Sequence, residues 1–273
     1  MASRPAAPDP LAGTLAARYT GVVLDIDGCL IRGHTPVPGA AAVLAALREH
    51  GLGPVLATNN ASRAPDEVAA WLTQAGLPVE VDQVVTSVHA AAALLSHDET
   101  VLVQGTRALR EGLEARGVRT TDAWRDADVV VAGFNPELRY AQLRDSALAI
   151  QHGARFLATN VDTTIPAEDG LWPANGALCA ALSTTTGVQP EVAGKPNRGL
   201  IDEATARLPD PTRRPLVVGD RLDTDIAAGT AAGCDTALVL TGAADAASPR
   251  PGDPTPTWVL DDVGGLLRPP PHG

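Results

Sequence analysis

The sequence predicts an α/β protein built on a doubly wound parallel sheet, with a second α/β domain inserted into it. Three observations carry this. Short apolar runs alternate with helix-length amphipathic segments over residues 21–87, the same alternation resumes near residue 194, and the stretch between them is far longer than a strand-to-strand crossover requires. In order, GVVLDI (21–26) reads as a strand and PGAAAVLAALREHG (38–51) as a helix stopped by glycine. GPVLAT (53–58) is the next strand, APDEVAAWLTQAG (64–76) the next helix and QVVTS (83–87) a short strand. After the gap, RGLIDEATARL (198–208) is helical, PLVVGD (215–220) a strand, TDIAAGTAAG (224–233) a helix and CDTALVLTG (234–242) a strand. Residues 241–257 read as a surface loop, and TWVLDDVGGLL (257–267) as an edge strand with a short helix.

Lys195 lies 135 positions beyond Asn60, whereas a crossover needs about a dozen residues. Most of that interval must therefore fold by itself. It carries its own rhythm of strands (99–105, 127–134, 154–160) and helices (106–117, 136–153, 174–187). The expected organisation is a flexible N-terminal segment over 1–20, a core formed by 21–87 and 189–273, and an inserted domain over 88–188. VLVQGTRALREG within the insert lacks the GxGxxG spacing of a dinucleotide site.

Composition sets limits. Of 273 residues, 45% are hydrophobic but only 3% aromatic, so the core must rest on Ala, Val and Leu. A net charge of −11 argues against non-specific binding to nucleic acid or anionic membrane. It also opposes an anionic substrate, so a site for one needs locally concentrated positive charge. Cys29, Cys179 and Cys234 are odd in number, widely spaced and without a CxxC pair, which indicates neither a disulfide framework nor a zinc site. The N-terminal 20 residues lack the apolar region of a secretory signal, and no window approaches a membrane span, so the expected compartment is the cytoplasm.

The chemistry concentrates at strand ends. VVLDIDGCL (22–30) runs from an apolar strand into Asp25 and Asp27, then into Gly28, which lets the chain turn away. Alone, this reads equally as an Asx-type turn. LVVGDRLDTDI (216–226) repeats the pattern with Asp220 at a strand end, and Asp223 and Asp225 follow where a helix should start. Two buried strands ending in carboxylates suggest one shared divalent cation, and oxygen-only ligation suits Mg²⁺. Thr58, Asn59 and Asn60 end a third strand and offer a hydroxyl and turn amides for a phosphate. Lys195, between Gly194 and Pro196, supplies a cation. Each of these also has an ordinary reading, as helix cap, turn residue or solvated lysine.

Together, DIDG, TNN, GKP and GDRLDTD resemble the four motifs of haloacid dehalogenase-superfamily phosphatases, and TNN and GKP point to the NagD-like, 4-nitrophenylphosphatase-like branch with a large cap. The resemblance spans roughly Gly21 to Val263. It implies that the insert is a cap over the active site and that Asp25 is a nucleophile forming an aspartyl-phosphate. Asp27 would be general acid and base. It implies Mg²⁺ on Asp25, Asp220 and the Asp27 carbonyl, with Asp225 holding metal-bound water. Thr58, Lys195 and amides around Asn59 would neutralise the phosphate. In the cap, residues 155–170 resemble the pocket-facing segment, which places Asn160 and Asp162 near the leaving group. Caps of this branch often help form homodimers. The implied substrate is a small phosphorylated metabolite: a sugar phosphate, glycerol phosphate, phosphoglycolate or nucleotide. Two competing readings are a phosphate-sensing module that pairs Asp and Lys around Mg²⁺, and a phosphomutase.

Overall fold

The computed structural model describes residues 11–167, 170–210, 215–244 and 249–271. The core begins with β1 (Val22–Leu24), a small hairpin of β2 (Ile31–Arg32) and β3 (Thr35–Pro36), α1 (Ala40–Glu49), β4 (Val55–Thr58), α2 (Pro65–Gln74), β5 (Val84–Thr86) and α3 (Ser87–Ala93). There follow β6 (Thr100–Gln104), α4 (Arg107–Glu114), β7 (Arg119–Thr121), β8 (Val129–Ala132), α5 (Tyr140–Gln151) and β9 (Arg155–Ala158). A hairpin of β10 (Thr164–Ala167) and β11 (Gly170–Pro173), α6 (Asn175–Thr186) and β12 (Glu191–Val192) complete the insert. The chain then returns through α7 (Gly199–Thr205), β13 (Leu216–Gly219), α8 (Ala227–Ala231), β14 (Asp235–Val239) and β15 (Trp258–Leu260).

The core sheet has the order β15-β14-β13-β1-β4-β5, and every pairing in it is parallel. From β1 the chain winds outward through β4 and β5, then returns to β13 on the opposite side. That reversal opens a crevice at the strands' C-terminal ends beside β1, where open α/β sheets bind ligands. Parallel strands are covered on both faces and read as continuous apolar runs; β1, β4 and β13 are accordingly buried throughout. Alternation splits them between two layers, with Leu24 and Val218 packing beneath Leu44, Leu47 and Leu72, and Val23 and Val217 facing Leu200 and Ile201. The second layer continues into Val101, Leu109 and Val129 of the insert, so both sheets share one apolar cluster.

The second sheet, β12-β9-β8-β6-β7, is also parallel. It extends past the expected boundary at 188 because the two-residue strand β12 pairs with β9, a segment too short to show any periodicity. The N-terminal expectation needs correction as well. Residues 1–10 lie outside the described residues, but Leu11, Leu15, Ala16 and Tyr19 are buried in the core. Leu15 N–H donates to Arg268 O at 2.8 Å, and Tyr19 Oη accepts from Trp258 Nε1 at 2.6 Å. Prolines and arginines in the sequence disguise these four buried apolar residues, which lie in and around a short helical turn at Ala16–Arg18. Among the described residues, no helix is long and apolar enough to cross a membrane.

Leu15 is fully buried, so Leu15→Ala should destabilise the protein by about 2–5 kcal/mol. Urea unfolding checks this, and an unchanged midpoint would show the segment to be a loose tail.

Candidate active site

Three adjacent strands deliver the site. Asp25 follows β1 directly, and its N–H donates to Val218 O at 2.8 Å, which ties the chain beyond β1 to β13. Asp220 follows β13, and Thr58 ends β4. Gly28 turns at φ +85°, and a Cβ there would lie 2.5 Å from Asp220 Oδ2, so only glycine permits both the turn and the approach of the two acidic segments.

Lys195 is the centre of the arrangement. Only 4% exposed, its Nζ lies 2.5 Å from Asp25 Oδ1, 2.6 Å from Asp225 Oδ1 and 2.9 Å from Ala57 O. Three acceptors use the three protons of the ammonium. The Asn59 amide grips the backbone of the same lysine: Nδ2 donates to Lys195 O at 3.0 Å, and Lys195 N–H donates to Asn59 Oδ1 at 2.8 Å. Asp225 Oδ2 accepts from Arg221 N–H at 3.1 Å, and Asp220 Oδ2 from Ala243 N–H at 2.6 Å.

Oxygens of Asp25, Asp220 and Asp225 all lie within 4.8 Å of one another. Burial pushes Asp25 well above the usual carboxylate range, Lys195 opposes this, and Asp225 and Asp220 reinforce it. Asp220 is pushed up to about 6 by burial and then by Asp225, against the Ala243 amide and Lys195. Burial also disfavours the Lys195 ammonium, but Asp225 and Asp25 outweigh it and hold its pKa above the ordinary lysine value. Three carboxylates facing one ammonium leave negative charge that a divalent cation would balance, and the all-oxygen donor set fits Mg²⁺.

The remaining expected residues divide. Asp27 stands outside the carboxylate cluster with its side chain open to solvent. Desolvation by the surrounding protein raises its pKa above the usual carboxylate value, against the lowering effect of Lys195 and Arg63. Thr58 is buried and its hydroxyl accepts from Asn60 N–H at 3.1 Å, leaving its own proton to give. Asn60 Oδ1 turns back to accept from Ser62 N–H and Oγ, so this side chain shapes the loop. Asn160 is buried: Nδ2 donates to Asn59 O at 2.8 Å, Oδ1 accepts from Asp162 N–H at 3.2 Å, and its carbonyl accepts from Asn175. It joins the second sheet to the Asn59 loop. Asp162, half-buried, is raised by burial and lowered by Arg221, Lys195 and a hydrogen bond to Asn59, which places it beside the site. Residues 168 and 169 of the expected pocket-facing segment lie outside the described residues.

Sequence reasoning missed Arg63, whose charge acts on Asp27, and Arg221, which pairs with Asp223 at 2.7 Å and acts on Asp162. Asp223 stands in the first turn of a helix, as expected; that turn is a wide π-type turn over Leu222–Ile226 in which Asp225 is buried. Cys29 is buried, and burial followed by Asp25 and Asp220 pushes its thiol well up, so it behaves as a packing residue. His34 is exposed in the β2–β3 turn.

The family model for haloacid dehalogenase-like hydrolases matches residues 22–119, and that for HAD-hydrolase-like proteins matches residues 192–266. The chain belongs to the haloacid dehalogenase-like hydrolases. Within this family it falls in class IIA, the NagD-like branch, and is a phosphatase that uses Mg²⁺. It is 41% identical over 260 residues to a D-glycerol 3-phosphate phosphatase of Mycobacterium tuberculosis, covering 93% of this chain and 72% of the relative. It is 36% identical over 248 residues to the 5'-nucleotidase YutF of Bacillus subtilis, covering 90% and 96%. Among solved structures it is similar to a glycerol phosphate phosphatase of Mycobacterium tuberculosis in complex with magnesium, with a TM-score of 0.86, 40% identity, and 93% and 79% coverage.

A carboxyl with a raised folded-state pKa loses stabilisation as pH climbs, because the unfolded chain gives up that proton first. In EDTA, Asp220→Asn should therefore gain melting temperature relative to wild type as pH rises from about 4 to about 6. Mg²⁺ at neutral pH should reverse the order. Parallel melting curves with and without Mg²⁺ would refute the assignment.

Proposed function

We propose that this phosphatase hydrolyses a small phosphorylated metabolite through an aspartyl-phosphate on Asp25, with Asp27 as general acid and then base. The observation that carries the reading is Lys195 Nζ held 2.5 Å from Asp25 Oδ1, with Asp220 and Asp225 gathered alongside. Lys195 orients the nucleophilic oxygen and neutralises approaching phosphate charge. The Thr58 hydroxyl and nearby amides stabilise the other oxygens. Bound Mg²⁺, held by Asp25 and Asp220 with Asp225 beside them, supplies Lewis-acid neutralisation.

In the first step Asp25 Oδ bonds to phosphorus as the ester P–O bond breaks, and the Asp27 proton passes to the leaving oxygen. In the second, the Asp27 carboxylate takes a proton from water; the water oxygen bonds to phosphorus and the Asp25 acyl-phosphate bond breaks, releasing inorganic phosphate. Solvent access at Asp27 suits both halves. A sensor would need neither Asp27 nor the inserted domain, and a mutase would need a bisphosphate activator.

Substrates named for the relatives, a glycerol phosphate and a 5'-nucleotide, fall within the expected set of sugar phosphate, glycerol phosphate, phosphoglycolate and nucleotide. Asp162 and Arg221 lie close enough to the catalytic charges to be felt by them, and offer an acceptor and a donor to the leaving group.

Release of phosphate from 4-nitrophenyl phosphate should require Mg²⁺ and disappear in Asp25→Asn. Asp27→Asn should lower kcat by about 10²–10⁴-fold. Full turnover by Asp25→Asn would eliminate the covalent route. Asp162→Ala should change the preference between glycerol 3-phosphate and nucleoside monophosphates more than it changes 4-nitrophenyl phosphate turnover. Equal losses on all three would remove Asp162 from leaving-group recognition.

A further inference from the structure

We propose that a groove beside edge strand β5 is a second, non-catalytic site for a phosphate-type oxyanion. The groove encloses about 510 Å³ and is lined by Val81, Asp82, Val84, His89, Arg116 and Arg207, among others. These residues come from the approach to β5, from α3, from the end of α4 in the insert and from the end of α7 in the core. None of them belongs to the catalytic cluster at the ends of β1, β4 and β13.

Its donors lack matching acceptors. His89 is 4% exposed, and Thr86 N–H points to its Nδ1 at 3.2 Å. The same Nδ1 also lies 3.2 Å from Thr86 O and 3.3 Å from Thr86 Oγ1, so Thr86 holds this edge of the ring in either tautomer, while Nε2 has no hydrogen-bond partner among the described residues. Burial, then Arg116 and Arg207, lower His89 to about 4 against a hydrogen bond to the Thr86 backbone, so the ring is neutral at physiological pH. Arg207 Nη1 donates to Asp82 O at 3.1 Å and Val84 O at 2.9 Å, which fixes the guanidinium while the rest of its fork stays available. Arg116 Nη1 donates to Gly112 O at 3.2 Å. Neither arginine forms an ion pair with a carboxylate among the described residues; Glu203 acts on both, and Asp82 on Arg207, only at longer range.

Burial and Arg116 together depress Arg207, which records the repulsion between the two guanidiniums. Like charges brought near one another are costly unless an anion sits between them. Two guanidinium forks beside a neutral imidazole match a tetrahedral oxyanion, which arginine grips in a bidentate manner. The anion is either inorganic phosphate or a phosphoryl group carried on a metabolite. Because Arg116 belongs to the insert and Arg207 to the core, an occupied groove fastens one to the other.

Calorimetric titration of the full chain in EDTA with inorganic phosphate, and separately with glycerol 3-phosphate, tests the site. Wild type should bind at least one of them without Mg²⁺. Arg116→Gln should weaken that binding about tenfold or more, while phosphate-free 4-nitrophenyl phosphate turnover stays within about twofold. Arg207→Gln should do the same; if loss of its backbone contacts unfolds the chain, the exposed Arg116 carries the test alone. Binding of glycerol 3-phosphate only identifies a carried phosphoryl group, and binding of both identifies the shared oxyanion. No binding to wild type at millimolar anion, or binding unchanged in Arg116→Gln, overturns the site.

Discussion

The ammonium of Lys195, wedged between Asp25 and Asp225, is the constraint on which the active site is built. A buried carboxylate without a counter-charge is expensive, and removing one partner of such a pair leaves the others stranded. Here one cation serves two buried acids and a carbonyl, so its position must be fixed closely. That accounts for the double hydrogen bond from Asn59 to the lysine backbone. It also accounts for Gly194, where a Cβ would stand 2.5 Å from Asn59 Oδ1.

The topology makes this convergence inexpensive. Parallel strands place all their C-terminal ends on one edge, so residues more than a hundred positions apart arrive together without special loops. Asp25, Thr58 and Asp220 follow or end β1, β4 and β13, neighbours in the sheet although far apart in the chain. The insert packs its own strands against the apolar layer behind that edge, bringing Asn160 and Asp162 to the crevice.

Much of this was legible in the sequence, for reasons that differ by residue. Asp25 and Asp220 stand directly after apolar runs, where burial makes a carboxylate conspicuous, and Lys195 gains meaning only beside them. Asn59 and Asn60 are the same residue type at adjacent positions, yet one clamps a lysine 136 positions away and the other closes a local turn. Local pattern contains nothing that separates these uses. Arg63 and Arg221 look like ordinary surface arginines, and their influence on Asp27 and Asp162 exists only once the loops are folded. The buried stretch from Leu11 to Tyr19 was hidden by its composition, and β12 by its two-residue length.

The carbonyl of Asn59 accepts hydrogen bonds from Ser87 Oγ at 2.7 Å and Asn160 Nδ2 at 2.8 Å, so one oxygen anchors both the core and the inserted sheet. The same residue's side chain steadies Lys195. Any swing of the insert away from the crevice therefore pulls on the peptide that carries the lysine's brace. A single asparagine thus ties the inserted sheet, the core and the lysine beside Asp25 to one another.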